Sequence, residues 1–211
     1  MSMKAVYERL SADHRFAAAL GTVLLALSLA GAVYAVGASI AGALSWRAHY
    51  GAPKASPEEI AALCGKAFLF YPHNWYFSIT AAEATYYGAA EVEGAARAER
   101  LRLAQVWCDR GLAQNPYKSQ LRRLKTRLLW EESPTRAIAY WEAYTDWHYW
   151  EPYNHATLAE LYARAGRFDQ AERVLVRIAG RPFYAEGRKA VDKERRDWDD
   201  ALNGRVGEWG E

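Results

Sequence analysis

Clustered guanidinium groups are the first residues in this sequence with chemistry to offer. Between residues 97 and 127, Arg97, Arg100, Arg102, Arg110, Lys118, Arg122, Arg123, Lys125 and Arg127 are offset only by Glu99 and Asp109. Such groups pair with carboxylates, phosphates or an acidic polymer through charge-assisted hydrogen bonds. Arg122, Arg123, Lys125 and Arg127 spread around more than one helix face, so part of the cluster is solvated surface. A second group is aromatic: Tyr140, Trp141, Tyr144, Trp147, Tyr149, Trp150 and Tyr153 crowd one segment of a chain with 9 Trp and 14 Tyr. Trp141 and Tyr144 fall at helical spacing and read as core. Trp147, Tyr149 and Trp150 form a strip that either packs a corner or stacks on a sugar polymer or a partner's apolar side chains.

The remaining candidates are thin. His73, His148 and His155, with Asp146 near His148, do not place two ligands on adjacent helical turns, so no metal and no cofactor is expected. There is no GxSxG, HExxH, P-loop or dinucleotide fingerprint, and no nucleophile, base and oxyanion donor can be assembled, which argues against an enzyme. Cys64 and Cys108 have neither metal-ligand nor CxxC spacing. They read as small buried residues or, outside the cytoplasm, as one disulfide stapling the first soluble helix to a later one.

These groups need elements to position them. With 211 residues, 51% hydrophobic and 25% charged, the composition is that of a globular chain and excludes a large multidomain enzyme or a disordered tract. From Phe16 to Trp46 there is no Asp, Glu, Lys, Arg or His, and about 20 apolar residues suffice to cross a bilayer. A transmembrane helix over 16–46 is expected, following a short cytoplasmic segment at 1–15. A cleaved signal peptide ending near Val33-Tyr34-Ala35 is the rival, but the uncharged run continues to Trp46, which favours a retained anchor. Lys4, Arg9 and Arg15 on one side outweigh Arg47 and Lys54 on the other. The positive-inside rule then places the carboxy-terminal domain outside the cytoplasm, periplasmic or otherwise extracytoplasmic, on a single-pass anchor expected in the inner (cytoplasmic) membrane. That topology argues against nucleic acid as a partner and makes membrane lipid one. Trp46, His49 and Tyr50 sit where an interfacial belt would lie. Ser28, Gly31, Ala35, Ser39 and Gly42 form a small-residue stripe able to admit another transmembrane helix.

After a linker at 47–55, Ser56-Pro57-Glu58-Glu59 is a capping box with proline at the first helical position. Helix-start punctuation recurs at Tyr71-Pro72-His73-Asn74, Asn115-Pro116, Ser133-Pro134 and Glu151-Pro152-Tyr153-Asn154, with a further helix expected after Gly94. Asp169 with Glu172 reads as another capping pair, and Gly166 as the end of the helix before it. The last helix is expected over Phe183 to Leu202, with 203–211 a frayed tail. Apolar spacing between these points is helical, and no segment alternates as a strand does.

The segment Tyr153–Pro182, YNHATLAELYARAGRFDQAERVLVRIAGRP, resembles a tetratricopeptide repeat: His155, Leu158, Ala159, Tyr162, Gly166, Phe168, Ala171, Leu175 and Ile178 occupy the family's offsets. Leu124, Leu128, Ala137, Trp141 and Tyr144 match a more degenerate repeat, and Ala104, Cys108, Gly111 and Pro116 the second half of another. The resemblance implies an all-α fold, a single transmembrane helix followed by an antiparallel helical-hairpin solenoid over 56–202. It also implies a concave face that binds a peptide or protein segment. On that face it places Ser119, Arg122, Thr126, Trp130, Tyr153, Ala156, Glu160 and Arg164. The expected function is a membrane-anchored scaffold or adaptor holding a protein partner within an envelope complex. The alternative, from a looser likeness to tetratricopeptide portions of O-antigen polymerase and ligase proteins, is an accessory protein for polysaccharide assembly or export that contacts the polymer through aromatic and basic residues.

Overall fold

The computed structural model describes residues 3–51 and 55–208. Among those residues the regular elements are all helices, joined by turns, with no strand, and the chain divides into two compact units, Met1–Pro116 and Tyr117–Glu211. Lys54 and residues 209–211 of the expected tail lie outside the described residues, as do the side chains of Lys4 and Arg9.

The first unit is built on α1, Met3–Trp46, which continues as one π-helical turn over Arg47–Gly51. The expected segment before Phe16 therefore shares a helix with the apolar run, and the expected linker begins by extending it. α1 is long and apolar enough to cross a membrane, and its most apolar stretch is exposed throughout. α2 spans Pro57–Phe70 and begins where the sequence places it. The Glu59 amide donates to Ser56 Oγ at 3.2 Å, and the Ser56 amide donates to Glu59 Oε2 at 2.9 Å. α3 (Tyr76–Gly88) is entered through Asn74, whose side-chain oxygen accepts from the Tyr76 amide at 3.0 Å. A short 3₁₀ turn, Ala89–Glu91, leads to α4 (Gly94–Gln114), where Gly94 adopts φ +59°. α2 packs on α1, α3 on α2 and α4 on α3.

Cys64 and Cys108 are buried as thiols rather than joined in a bridge. Ala67, Ala104 and Trp107 of the same helices and Phe77 of α3 are buried as well, and a small apolar side chain at positions such as these lets helices approach. Burial pushes the Cys64 thiol up to about 12. Two glycines allow closer approaches. A methyl at Gly37 would lie 2.9 Å from the Phe70 carbonyl oxygen, and one at Gly88 would lie 2.3 Å from Pro57 Cγ. The Gly88 junction is tied by Arg100, which donates to the Gly88 carbonyl at 2.5 Å and to Glu58 at 2.6 Å. The same guanidinium holds the Glu58 carboxyl below its ordinary range.

α2 covers the side of α1 that carries Gly37, Ala41 and Ala48, the last two buried. At about 100° per residue, the stripe of Ser28, Gly31, Ala35, Ser39 and Gly42 lies on the opposite side. Those five residues are exposed, and a methyl added at Gly31 or Gly42 meets nothing within 4 Å. Ser39 returns its hydroxyl proton to the Ala35 carbonyl at 2.9 Å.

The second unit comprises α5 (Ser119–Glu132), α6 (Pro134–Trp147), α7 (Pro152–Arg164), α8 (Phe168–Val176) and α9 (Tyr184–Glu208). Proline opens α6 and α7 at the first helical position. Gly166, at φ +72°, closes α7: the Gly166 and Arg167 amides donate back to the carbonyls of Ala163 and Tyr162. Neighbouring helices pack in chain order from α5 to α9, and α9 also packs on α7. The core contains Trp141, Tyr144, Leu158, Ala159, Tyr162, Ala171, Leu175 and Ile178.

Two local expectations are corrected in this unit. Asp169 and Glu172 do not cap α8, because the Glu172 carboxylate is held by Arg188 at 2.6 Å and Arg195 at 3.0 Å. These charge-assisted bonds join α8 to α9 and keep Glu172 below its ordinary pKa. The last helix also continues beyond Leu202 to Glu208, through Asn203 and Gly204; extending an existing helix costs far less than starting one.

Candidate functional site

The second unit carries a groove of about 240 Å³ whose walls come from α5, α7, α9 and the approach to α9. α5 contributes Arg123, Thr126 and Arg127, α7 contributes Tyr153, Ala156, Glu160 and Arg164, and the far wall holds Phe183, Glu186 and Gly187. The floor is firm. Trp141 is fully buried, and its indole N–H donates to the Asn154 carbonyl at 3.0 Å, which ties α6 to the first turn of α7. α9 can close on α7 because residue 187 is glycine; a methyl there would lie 2.8 Å from Leu175 Cδ2 and 3.1 Å from Ala156 Cβ.

Aromatic rings position the cations. The Arg164 guanidinium lies 4.4 Å from the Trp130 ring centre, and that of Arg123 lies 5.7 Å from Tyr153. Tyr153 meets Phe183 edge-on at 5.4 Å. Phe183 holds φ +66°, a left-handed conformation that a bulky L-residue adopts only when its surroundings impose it. The chain thus stores backbone strain where an aromatic ring is presented to the groove.

Of the residues expected on the concave face, Thr126, Tyr153, Ala156, Glu160 and Arg164 come together here. Trp130 contributes indirectly, beneath Arg164. Ser119 is exposed in the first turn of α5 and does not line the groove. Arg122 turns toward α6, with its guanidinium 4.7 Å from the Tyr144 ring centre and donating to the Tyr140 hydroxyl at 3.2 Å. Its place is taken by Arg123 and Arg127, one residue on from Arg122 and Thr126. Phe183, Glu186 and Gly187 were outside the expected set, although the proline before Phe183 marks a turn.

The aromatic strip is a separate feature of the same unit. Trp147, Tyr149 and Trp150 are 48%, 68% and 51% exposed. Tyr117 stacks on Trp147 at 5.0 Å, and His148 fills the centre, 4.1 Å from Trp147 and 5.2 Å from Trp150. Their backbone is pinned from within. Asn154 donates to the His148 carbonyl at 3.4 Å, His155 Nε2 lies 2.7 Å from the Tyr149 carbonyl, and Arg181 donates to the Trp150 carbonyl at 2.9 Å. His148 and His155 therefore serve packing and the corner, and no group of three metal-ligating side chains occurs among the described residues.

Chemically, the groove can accept carboxylates at Arg123, Arg127 and Arg164, and apolar or aromatic side chains at Tyr153 and Phe183. Glu160 and Glu186 add acceptors for donors on a ligand. Compared with known proteins, the chain matches no family model, no curated protein and no solved structure.

Proposed function

We propose that this protein is a membrane-anchored helical-repeat scaffold, in which the paired helices of the second unit follow the tetratricopeptide arrangement and the groove holds a segment of a protein partner. The observation that carries the reading is the meeting of Arg123, Arg127 and Arg164 with Tyr153 and Phe183 over a buried Trp141 floor. Pockets that enclose a whole small molecule run to about 300–1,000 Å³. A groove of about 240 Å³ suits one or two side chains of a longer segment. Burial of the repeat-offset residues Leu158, Ala159, Tyr162, Ala171 and Leu175 supports the arrangement. Lys4, Arg9 and Arg15 support an orientation with the amino terminus in the cytoplasm and the chain that follows α1 beyond the membrane.

A photocrosslinking residue at Thr157, in the groove wall, tests this in the native membrane, with the same residue at exposed Arg173 on α8 as the control. One stoichiometric protein adduct from position 157, lost in an Arg123→Glu/Arg164→Glu variant of unchanged helicity, is the expected result. Equal adducts from both positions, or adducts indifferent to charge reversal, would refute it.

The exposed, backbone-pinned strip of Trp147, Tyr149 and Trp150 favours a second reading, contact with a cell-surface polysaccharide through ring stacking. That reading expects Trp150→Ala to abolish glycan retention while leaving the groove adduct unchanged. Retention equal to wild type would eliminate it.

A further inference from the structure

We infer that the bilayer surface crosses α1 at Tyr34–Gly37, and that the carboxy end of α2, Leu69-Phe70-Tyr71, is seated in that surface as a lipid-contacting foot of the first unit. The inference rests on reading α1 as a membrane span, and it fixes where on α1 the span ends.

Three observations converge. First, α1 is bare of protein only over part of its apolar run. From Phe16 to Val33 it is exposed all round, with Leu20, Leu24, Leu27 and Val33 open to the surroundings, whereas beyond Val33 one side is covered, with Ala41 and Ala48 buried while Val36, Ile40 and Trp46 stay exposed. At 1.5 Å per residue, the 18 positions from Phe16 to Val33 measure about 27 Å, close to the roughly 30 Å hydrocarbon core. Second, α2 doubles back along the remainder of α1. Its last residue reaches Gly37, where the Phe70 carbonyl takes the space a methyl would fill, and the Tyr71 ring meets Tyr34 edge-on at 5.3 Å. Third, this end of α2 exposes large apolar side chains, with Leu69 80% and Phe70 50% exposed. They continue the apolar surface of α1 at the depth where tyrosines are expected in an interfacial belt.

Charge sets the upper limit. Lys66 lies one turn before Phe70, and it lines a crevice with Arg47 and Glu59 farther up the same pair of helices. Hydrocarbon reaching Trp46 would submerge these groups, and charged side chains at that depth are strongly disfavoured. Trp46 and Tyr50, expected from the sequence at the interface, therefore stand in water. Residues 34–51 form a stalk on which α2, α3 and α4 are carried.

Depth measurement by spin labelling tests the placement. Single cysteines replacing Leu25, Leu69 or Trp46 in the full chain are labelled with nitroxide and reconstituted in phosphatidylcholine/phosphatidylglycerol nanodiscs. Unsubstituted protein, with Cys64 and Cys108 buried, gives the labelling background. The expected result is a Leu25 label accessible to oxygen and shielded from a water-soluble nickel complex. The Leu69 label should be several-fold less accessible to nickel than the Trp46 label, and the Trp46 label should be open to water. A Leu69 label as nickel-accessible as Trp46, or a Trp46 label shielded like Leu25, overturns the inference while the span stands. A Leu25 label open to nickel overturns the span itself and the inference with it.

Discussion

Replacing Gly88 with alanine sets two physical effects against each other with opposite signs. Gly88 ends α3 at φ −63°, an ordinary helical value, so propensity alone favours alanine by about 1 kcal/mol. The new methyl would lie 2.3 Å from Pro57 Cγ and 3.0 Å from Pro57 Cβ, where carbon atoms prefer about 3.5 Å or more. Relief requires a displacement of more than about 1 Å. The obstacle is a ring closed onto the backbone at the first residue of α2, so moving it also pulls on the Ser56–Glu59 capping box and the Arg100 bridge. Overpacking of this kind costs about 1–3 kcal/mol, and disturbing a cap adds about 1 kcal/mol. After subtraction of the helical gain, the expected net loss is about 2 kcal/mol. Thermal unfolding in mild detergent, followed by far-ultraviolet circular dichroism, should show a Tm several degrees below wild type. A Tm equal to or above wild type would mean that the α2–α3 junction is looser than described and that propensity decides the outcome.

Two further predictions concern pH. The Cys64 thiol is raised to about 12 in the folded protein, against an unfolded value of about 8.5–9. Its contribution is therefore present below the unfolded pKa and lost as pH rises toward the folded one, by about 1.4 kcal/mol per unit; urea midpoints between pH 8 and 11 should fall less steeply in Cys64→Ala than in wild type, and parallel slopes would contradict the burial argument. Glu172 is lowered by Arg188 and then Arg195, so its contribution is present above the unfolded carboxyl pKa and lost as pH falls through the folded one. Glu172→Gln should cost about 2 kcal/mol at pH 7, with the difference from wild type shrinking below pH 4 in the same denaturant assay; a constant difference down to pH 2 would assign the loss to packing instead.

What could be read in advance was local. Ser56 and Glu59 cap α2 because both partners lie within one turn. Ser133-Pro134 and Glu151-Pro152 begin helices because proline presets the first residue, and Gly166 ends α7 because the chain there needs positive φ. Glu172 has the correct spacing from Asp169 for a cap, yet two arginines 16 and 23 residues later in the chain claim it. No local pattern reveals that competition. The groove failed in the same manner at Arg122, since a basic run supplies cations on several faces and only the position of Tyr140 and Tyr144 decides which one is drawn aside. Phe183 left a weaker trace, a proline turn, and no local pattern shows that its ring meets Tyr153, thirty positions earlier. On α1, small residues lie on both sides, and the side α2 occupies is set by the returning chain rather than by composition.

The unbroken course of α1 gives the first unit a mechanical property. Forty-four helical residues make a rod of about 66 Å, and α2 is packed along its upper part. On the reading of α1 as a membrane span, a neighbouring membrane helix that gripped its small-residue side at Ser28, Gly31 and Ala35 and turned α1 would turn α2, α3 and α4 through the same angle. A shift by one residue of helical register is about 100° of rotation, so a small rearrangement inside the bilayer would be delivered above it as a large reorientation, with the helix acting as a torsion shaft.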